Sequence, residues 1–449
     1  MKKNILKLLS IVIVSSMLLT FAGCGVKKSE KTEPESGKQS VDGKKEPVKL
    51  TFINYFVRDN LDGNGKAFVA AMEKYKADNP NITIEEEILS HDAYETKIKT
   101  LAAANELPDL FLLKGSMLST FIENKLINPL NDLLDKDPEW KNSFKEGVFD
   151  DFTIDDKIYG IPFQMMSTHA IYYNKKIFEE AGFTAFPKDW DEFKDAVTKI
   201  KAKGYVPIAL GNKGKWVAES CILSALGDRF TGTDWFLSIK EKQGAKFTDP
   251  EFVNALSALQ ELAKMGAFNT DMNSIDNEQQ RTLYYNGKAA MFFEGGWAVS
   301  QVVADAPKEV IDATELTILP AVKGGKGDSK AISGGAGWAY NMNSKLNGVK
   351  KEAAEALLRA LMNKDVAKIA VENNAMPAVN PDSYDKSKLS PLAVKYVELI
   401  SNTKVVPVYD VQLTPPVIEV MNSGLQELLI NVVSPEDLAK KIQTEYEKQ

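Results

Sequence analysis

Cysteine and histidine are the residue types most able to form covalent, metal-binding or acid–base sites, and this chain contains only two of each. Cys221 and the histidines His91 and His169 lie far apart, without the spacing of a zinc or redox motif. GxSxG, P-loop and GxGxxG motifs are absent, and no two of the many carboxylates are marked out as a catalytic pair. Catalysis, a metal and a cofactor are therefore not predicted.

Cys24 differs from the other cysteine because of the residues that precede it. Three lysines among the first seven residues, an apolar run over residues 8–19, and the small residues Ala22 and Gly23 form a secretory signal peptide over residues 1–23. This arrangement resembles the lipobox of bacterial lipoproteins, with Phe21 where that family usually has leucine. The resemblance implies acylation of Cys24 and a protein held by lipid at the extracytoplasmic face of the cell membrane. The alternative is a chance cysteine after an ordinary signal peptide.

Composition narrows the possible partners of the mature chain. Its net charge of −7 argues against nucleic acid, because phosphate binding requires a concentrated basic face. Residues 24–46 are rich in Lys, Glu, Ser and Gly, so we expect a lipid anchor followed by a disordered tether. The remainder of the 449 residues exceeds what one hydrophobic core usually serves, and two lobes are expected.

Strand and helix patterns alternate along the folded region. In its first part the predicted strands cover residues 48–54, 82–85 and 109–113, and the predicted helices cover residues 65–76 and 94–104. This order predicts an α/β lobe with a largely parallel sheet, whose ligand lies beyond the carboxyl ends of the strands.

The pattern restarts after residue 162. It comprises strands at residues 170–174 and 206–210, helices at residues 175–181 and 190–203, and late helices at residues 351–362 and 415–429. We assign residues 47–162 with about 302–345 to an N-terminal lobe. Residues 163–301 with about 346–449 are assigned to a C-terminal lobe.

Three segments together resemble the family 1 extracellular solute-binding proteins, the carbohydrate-binding group of ABC importers. They are LPDLF at residues 107–111, YYNKKIFEEAGF with PKDWDEF at residues 172–193, and NGKAAMFFEGGW at residues 286–297. Asp189 replaces the threonine that is usual in the second segment. The order and spacing of the segments extend the resemblance over essentially everything after residue 47.

The resemblance implies a two-lobed, periplasmic-binding-protein-like α/β fold of type II. Crossover hinges join the lobes, and a ligand is bound in the cleft between them without being chemically changed. The partners implied are a small-molecule carbohydrate, the transmembrane permease subunits of an ABC importer, and the membrane through the lipid anchor only. A monomer is expected.

A sugar site requires flat aromatic surfaces for the C–H faces of the rings, together with amide, carboxylate and hydroxyl groups for the rim of hydroxyls. Trp297 matches the stacking tryptophan of the family, and an oligosaccharide is favoured because several aromatic residues are candidates. The predicted ligand-binding residues are Asn54, Tyr55, Phe56 and Ser116 at strand ends, Glu294, Gly296 and Trp297 in the third motif, Gly335 and Trp338 in a glycine-rich turn, and His169, Trp216, Tyr409, Asp410 and Gln412 in loops.

Several alternatives remain open at this level. His169 is equally well explained as a structural histidine, and Glu294 as a residue that only holds its loop. Lys213 and Lys215 could favour an acidic or phosphorylated solute. A tethered glycoside hydrolase and a sensory lipoprotein are further alternatives to a transport receptor.

Overall fold

The computed structural model describes residues 46–449, which form one compact unit. The predicted signal peptide, the predicted lipidation site Cys24 and residues 25–45 of the predicted tether lie outside the described residues. None of the helices within residues 46–449 combines the length and the apolar character needed to cross a membrane.

The described residues form a mixture of strands and helices. The strands are β1 (Val48–Asn54), β2 (Ile82–Ile88), β3 (Leu110–Lys114), β4 (Thr153–Ile154), β5 (Lys157–Ile158), β6 (Ile161–Pro162), β7 (Met166–Ser167), β8 (Ile171–Asn174), β9 (Val206–Ala209), β10 (Ala289–Phe293), β11 (Thr314–Thr317), β12 (Ala331–Gly335), β13 (Trp338–Met342) and β14 (Lys404–Val406). The α-helices are α1 (Gly63–Asp78), α2 (His91–Ala104), α3 (Leu118–Glu123), α4 (Asn131–Asp135), α5 (Pro138–Asn142), α6 (Lys175–Glu180), α7 (Trp190–Ala202), α8 (Ser224–Thr231), α9 (Thr233–Lys240), α10 (Pro250–Met265), α11 (Asn277–Tyr285), α12 (Ala298–Asp305), α13 (Lys308–Ala313), α14 (Gly348–Leu361), α15 (Lys364–Glu372), α16 (Pro391–Ser401), α17 (Tyr409–Gln412), α18 (Pro415–Leu429) and α19 (Pro435–Tyr446).

The first lobe is built on a five-stranded sheet with the order β2-β1-β3-β13-β6. β1 runs parallel to β2 and β3, whereas β13 runs antiparallel to both of its neighbours. β3 is apolar and buried along its length up to Lys114, which is the pattern of a central strand covered on both faces. Because β13 pairs with β3, Trp338 lies opposite Lys114, at the carboxyl end of β3.

The second lobe is built on a four-stranded sheet with the order β11-β8-β10-β9. β10 runs parallel to β9 and antiparallel to β8, and helices α7, α8, α10, α18 and α19 contribute to the core around this sheet. β10 continues through Glu294 and two glycines into α12, which places Trp297 directly before the helix. The segment after β9 similarly carries Trp216 toward a π-helical turn at Ala218–Leu223.

A small third sheet, β14-β12-β7, lies where the chain passes between the lobes. The first core includes Phe163 and resumes at Ala336, whereas Ala170 belongs to a core of the second lobe. The first core continues to Val379, and from Leu392 the chain again packs in the second lobe. The chain therefore crosses between the lobes near residues 164–169, 333–335 and 380–391.

The strands and helices predicted from the sequence pattern are confirmed, with ends that differ by a few residues. The assignment of the later segments to lobes is different in the structure. Residues 302–317, which were assigned to the first lobe, belong to the second lobe because β11 pairs with β8, and only the segment from residue 336 onward returns to the first lobe. α14 and α15 pack on α1 and β1 of the first lobe, although residues 346–449 were assigned to the second lobe.

Candidate ligand-binding site

A cavity of about 630 Å³ lies between the two lobes, and we call it the cleft cavity. Its first-lobe side is formed by the ends of β1 and β3, the start of α2 and the start of β13. Its second-lobe side is formed by the segment that carries Trp216, by the start of α11 and by the start of α12. A volume of this size is typical of sites for small organic ligands.

The first-lobe wall of the cleft cavity includes the rings of Tyr55, His91 and Trp338. The ring of Tyr55 lies 5.2 Å from the ring of Trp338 and 5.3 Å from that of His91, measured between centroids. Asn54 is fully buried at the end of β1, and its side-chain oxygen accepts a hydrogen bond from the Phe56 N–H at 3.0 Å. Asn54 therefore shapes the turn that carries Tyr55 into the cavity.

The second-lobe wall includes the rings of Trp216 and Trp297, whose centroids are 6.1 Å apart. Trp216 also lies 5.6 Å from His91, so aromatic rings continue from one wall to the other. A Cβ atom on Gly295 would lie 2.1 Å from the ring of Trp297, which explains why glycine precedes this tryptophan. The close approach of backbone and ring fixes where the indole enters the cavity.

Glu294 holds Trp297 from behind the wall. Its Oε1 atom accepts a hydrogen bond from Trp297 Nε1 at 2.7 Å and one from Asn277 Nδ2 at 2.7 Å, and it pairs with the guanidinium of Arg281 at 2.5 Å. Asn277 and Arg281 are supplied by α11, which begins with a capping box between Asp276 and Gln279. Glu294 is fully buried and is not part of the cavity lining, so it orients the ring without reaching a ligand.

The long cationic side chains of the cleft cavity are paired with carboxylates. Lys114 lies 3.0 Å from Asp410 of the second lobe and 3.4 Å from Glu95. Burial alone would lower the pKa of Lys114, but these two carboxylates outweigh burial and raise the pKa above its ordinary value. Because Arg281 is likewise paired with Glu294, the wall offers little uncompensated positive charge to an anion.

Amide and hydroxyl groups form much of the remaining lining, beside the carboxylates of Asp59, Asp62 and Glu278. The cleft cavity is bordered by the polar, uncharged side chains of Asn60, Gln164, Thr168, Ser220, Asn277 and Gln301. Within residues 46–449, the Oε1 atom of Gln301 is buried and accepts no hydrogen bond. It is therefore available to a ligand that carries hydroxyl or N–H donors.

The structure brings about half of the predicted site residues together. Those that line the cleft cavity are Tyr55, Phe56, Trp216, Trp297, Gly335, Trp338 and Asp410. Ser116 lines a neighbouring cavity instead. Gly296 lies behind the wall, where a Cβ atom would meet the Tyr396 hydroxyl at 2.2 Å.

His169 is a structural histidine, and its predicted ligand contact is not supported. The ring is fully buried, its Nδ1 atom lies 2.7 Å from the carbonyl oxygen of Cys221, and its Nε2 atom accepts a hydrogen bond from the Leu319 N–H at 3.1 Å. Burial lowers the pKa of His169 to about 4, so the ring is neutral near pH 7.

Two predicted residues of the late loop also lie outside the cavity lining. Tyr409 is 1% exposed, and its ring stacks on Phe236 with centroids 4.5 Å apart. Gln412 donates a hydrogen bond to Asp151 at 2.6 Å and accepts one from Lys240 at 2.6 Å. Both residues are used by packing and by contacts within the protein, unlike their neighbour Asp410.

Sequence reasoning missed several lining residues. His91 follows β2 and Lys114 ends β3, so the rule that ligands bind beyond the carboxyl ends of strands would have found both. Thr168 lies in the crossing segment, and Asn277, Arg281 and Gln301 lie on two helices of the second lobe. No local pattern distinguishes these four residues from other polar residues on helices or loops.

The fold and the cleft define a two-lobed, periplasmic-binding-protein-like receptor. A family model described as bacterial extracellular solute-binding protein matches residues 58–368. The chain belongs to this family, which confirms the resemblance carried by the three sequence motifs.

The alignments with similar proteins cover most of the chain. It is 24% identical over 349 residues to the multiple sugar-binding protein of Streptococcus mutans, covering 77% of this chain and 75% of that protein. It is 22% identical over 380 residues to the diacetylchitobiose binding protein DasA of Streptomyces coelicolor, covering 83% and 81%.

Solved structures show the same architecture. A chitin oligosaccharide binding protein superposes with a TM-score of 0.81 at 28% identity, covering 90% of this chain and 98% of the other. A protein studied for xylan utilization by Caldanaerobius polysaccharolyticus superposes with a TM-score of 0.80 at 28% identity, covering 88% and 99%.

Proposed function

We propose that this protein is the lipid-anchored, extracellular substrate-binding component of an ABC importer. It captures a sugar in the cleft cavity and delivers it to the membrane permease without changing it chemically. The family supports a solute-binding role, and the relatives that are sugar-binding and diacetylchitobiose binding proteins support a carbohydrate as the solute.

The observation that carries the proposal is the combination of aromatic rings on both walls with an unpartnered amide oxygen between them, that of Gln301. Trp338 and Tyr55 on one side and Trp297 on the other offer flat surfaces to the C–H faces of a pyranose. Gln301 offers an acceptor to the hydroxyl rim. A neutral solute fits better than an acidic one, because Lys114 and Arg281 are already paired.

An oligosaccharide is the more specific form of the proposal. Rings succeed one another from Trp338 through His91 and Trp216 to Trp297, which is more aromatic surface than one sugar ring can cover. Two structures with 28% identity come from work on chitin oligosaccharides and on xylan utilization. β-1,4-linked oligosaccharides are therefore the first solutes to test.

The test is a binding titration of the chain without residues 1–24, which retains the whole compact unit. Chitin and xylan oligosaccharides of one to five rings, together with acidic and phosphorylated sugars, are titrated by calorimetry and tryptophan fluorescence. We expect saturable binding of a neutral sugar with micromolar or tighter affinity, little dependence on salt, and recovery of the intact sugar by chromatography.

Different results would contradict different parts of the proposal. Failure of every neutral sugar to bind would refute the sugar assignment, and a steep loss of affinity with salt would favour an acidic solute. Appearance of shorter products would favour a hydrolase. Loss of sugar uptake in cells that lack the protein, restored by the wild-type gene but not by a Cys24→Ala variant, is expected if the lipid-anchored receptor serves transport.

A further inference from the structure

A second cavity, of about 380 Å³, adjoins the cleft cavity, and we call it the side cavity. It also lies between the two lobes, with α2 and the end of β3 on one side and α18 on the other. Three residues line both cavities: Lys114, Trp216 and Asp410. Because the same side chains border both spaces, the two cavities are neighbouring parts of one interlobe cleft.

The side cavity contains a buried polar atom without a partner. Asn422, on α18, is 8% exposed, and its Oδ1 atom accepts no hydrogen bond from any residue within 46–449. A buried amide oxygen is normally satisfied by protein, water or ligand. Gln301 has the same unpartnered amide oxygen in the cleft cavity. Each cavity therefore presents one buried acceptor.

Four lysines and four carboxylates line the side cavity, and three of the lysines form ion pairs, the fourth being Lys213. Lys99 pairs with Glu95 at 2.9 Å, Lys114 with Asp410 at 3.0 Å, and Lys215 with Glu419 at 2.7 Å. Lys215 also donates a hydrogen bond to Ser423, so it is directed toward α18 rather than free for an anion. This arrangement suits a neutral, hydroxyl-rich group better than a charged one.

The residues between the cavities suit a continuous sugar chain. The indole of Trp216 borders both spaces and offers an aromatic surface at their junction. Ser116, which follows β3, lies on the first-lobe side of the side cavity and provides a hydroxyl. A sugar chain that begins between Trp338 and Trp297 would therefore contact further stacking and hydrogen-bonding groups beyond Trp216.

We propose that the side cavity is a second sugar compartment of the same cleft. The protein then prefers neutral oligosaccharides that are long enough to pass Trp216 and reach Asn422 and Ser116. This inference rests on the proposed sugar-binding function and adds a requirement for chain length. It gives a role in ligand binding to Ser116, which lines the side cavity and not the cleft cavity.

The experiment compares the affinities of one variant for sugars of different length. Dissociation constants of wild type and Asn422→Leu are measured by calorimetry with the chitin and xylan series of one to five rings. For wild type we expect a further increase in affinity for sugars that are too long to fit in the cleft cavity alone. For Asn422→Leu we expect at least tenfold weaker binding of the longest sugars and less than twofold change for the shortest.

Gln301→Leu is the matched control, because it removes the equivalent amide from the cleft cavity. This variant should bind sugars of every length more weakly than wild type, by a similar factor for each. Ser116→Tyr, a substitution at a partly exposed position of the short 3₁₀ turn Gly115–Met117, fills the side cavity from the other lobe and should repeat the length-selective loss. Thermal unfolding of each variant identifies any that fails to fold. If Asn422→Leu fails to fold, the result for Ser116→Tyr decides the outcome.

The possible failures are distinguishable. If wild type binds no sugar of any length, the proposed sugar-binding function is refuted. If it binds sugars but Asn422→Leu and Ser116→Tyr affect every length equally, or none, only the second compartment is refuted. Unchanged affinities with impaired uptake would identify the side cavity as a contact for the permease and would also overturn the inference.

Discussion

The aromatic rings of the first-lobe wall are held by other rings, whereas Trp297 on the second-lobe wall is held by a carboxylate. Tyr55 contacts Trp338 and His91 with centroids 5.2 and 5.3 Å apart. Trp297 donates its indole hydrogen bond to the buried Glu294 at 2.7 Å. Packing between rings tolerates several orientations, but a hydrogen bond to a fixed carboxylate selects one.

Because of this difference, we expect the rings of the first-lobe wall to contribute mainly to stability and Trp297 to contribute mainly to ligand binding. Trp338 is 6% exposed and belongs to the main core of the first lobe, so the same side chain supports the fold and lines the cavity. Trp297 is only half-buried and contacts the edges of two cores in the second lobe. Substitutions on the first-lobe wall should therefore change folding, and substitutions at Trp297 should mainly change ligand affinity.

The largest expected effect tests this division directly. Trp338→Ala removes a large buried ring and leaves a cavity in the first core, which should lower the free energy of unfolding by about 3–5 kcal/mol. Trp297→Ala is the matched control, and it should lower the free energy of unfolding by clearly less because its ring is partly exposed. Both are measured by denaturant unfolding in the absence of sugar. Equal losses of stability would contradict the comparison.

A smaller effect on stability is expected from the titration of His169, which is buried in the second lobe. The pKa of His169 is about 4 in the folded protein, below the value near 6.5 expected in the unfolded chain. The unfolded chain therefore binds the proton more tightly between these pH values. The stabilising contribution of neutral His169 is fully present above about pH 6.5 and falls by about 3 kcal/mol as the pH drops to about 4.

The measurement is the free energy of unfolding of wild type and His169→Gln across this pH range. Glutamine does not titrate there, and its side-chain oxygen can accept the hydrogen bond from Leu319. The variant should lose less stability than wild type between pH 6.5 and pH 4, and the difference between the two slopes isolates His169 from the carboxylates. Parallel slopes would show that His169 does not titrate differently on folding.

The local elements and part of the cleft could be predicted from the sequence. Strands such as β1 and β3 have a hydrophobic pattern that indicates burial, and the structure places Tyr55, which follows β1, in the lining of the cleft cavity. The third motif led to Trp297 in the same way. Both rings line the cleft cavity because strand direction and the motif place particular residues at one edge of a sheet, and their contact with a ligand stays a prediction.

The lobe of each later helix could not be predicted, because periodicity shows that a helix has a buried face but not what covers that face. α14 has such a face, and the structure shows that it packs against the first lobe. His169 was ambiguous for a similar reason, since its role depends on Cys221 and Leu319, which are distant in sequence. The Asn277 and Arg281 contacts with Glu294 likewise depend on how α11 packs beside β10.

The smallest expected effect concerns affinity alone. Trp297→Ala should weaken binding of the preferred sugar by about 1–3 kcal/mol through loss of stacking surface, measured by calorimetry. Glu294→Gln keeps an acceptor for the indole but removes the charge that pairs with Arg281, so it should weaken binding less than Trp297→Ala does. A change under twofold for Trp297→Ala would remove this ring from the site. A loss for Glu294→Gln as large as that for Trp297→Ala would instead show that ring orientation, rather than ring surface, limits binding on the second-lobe wall.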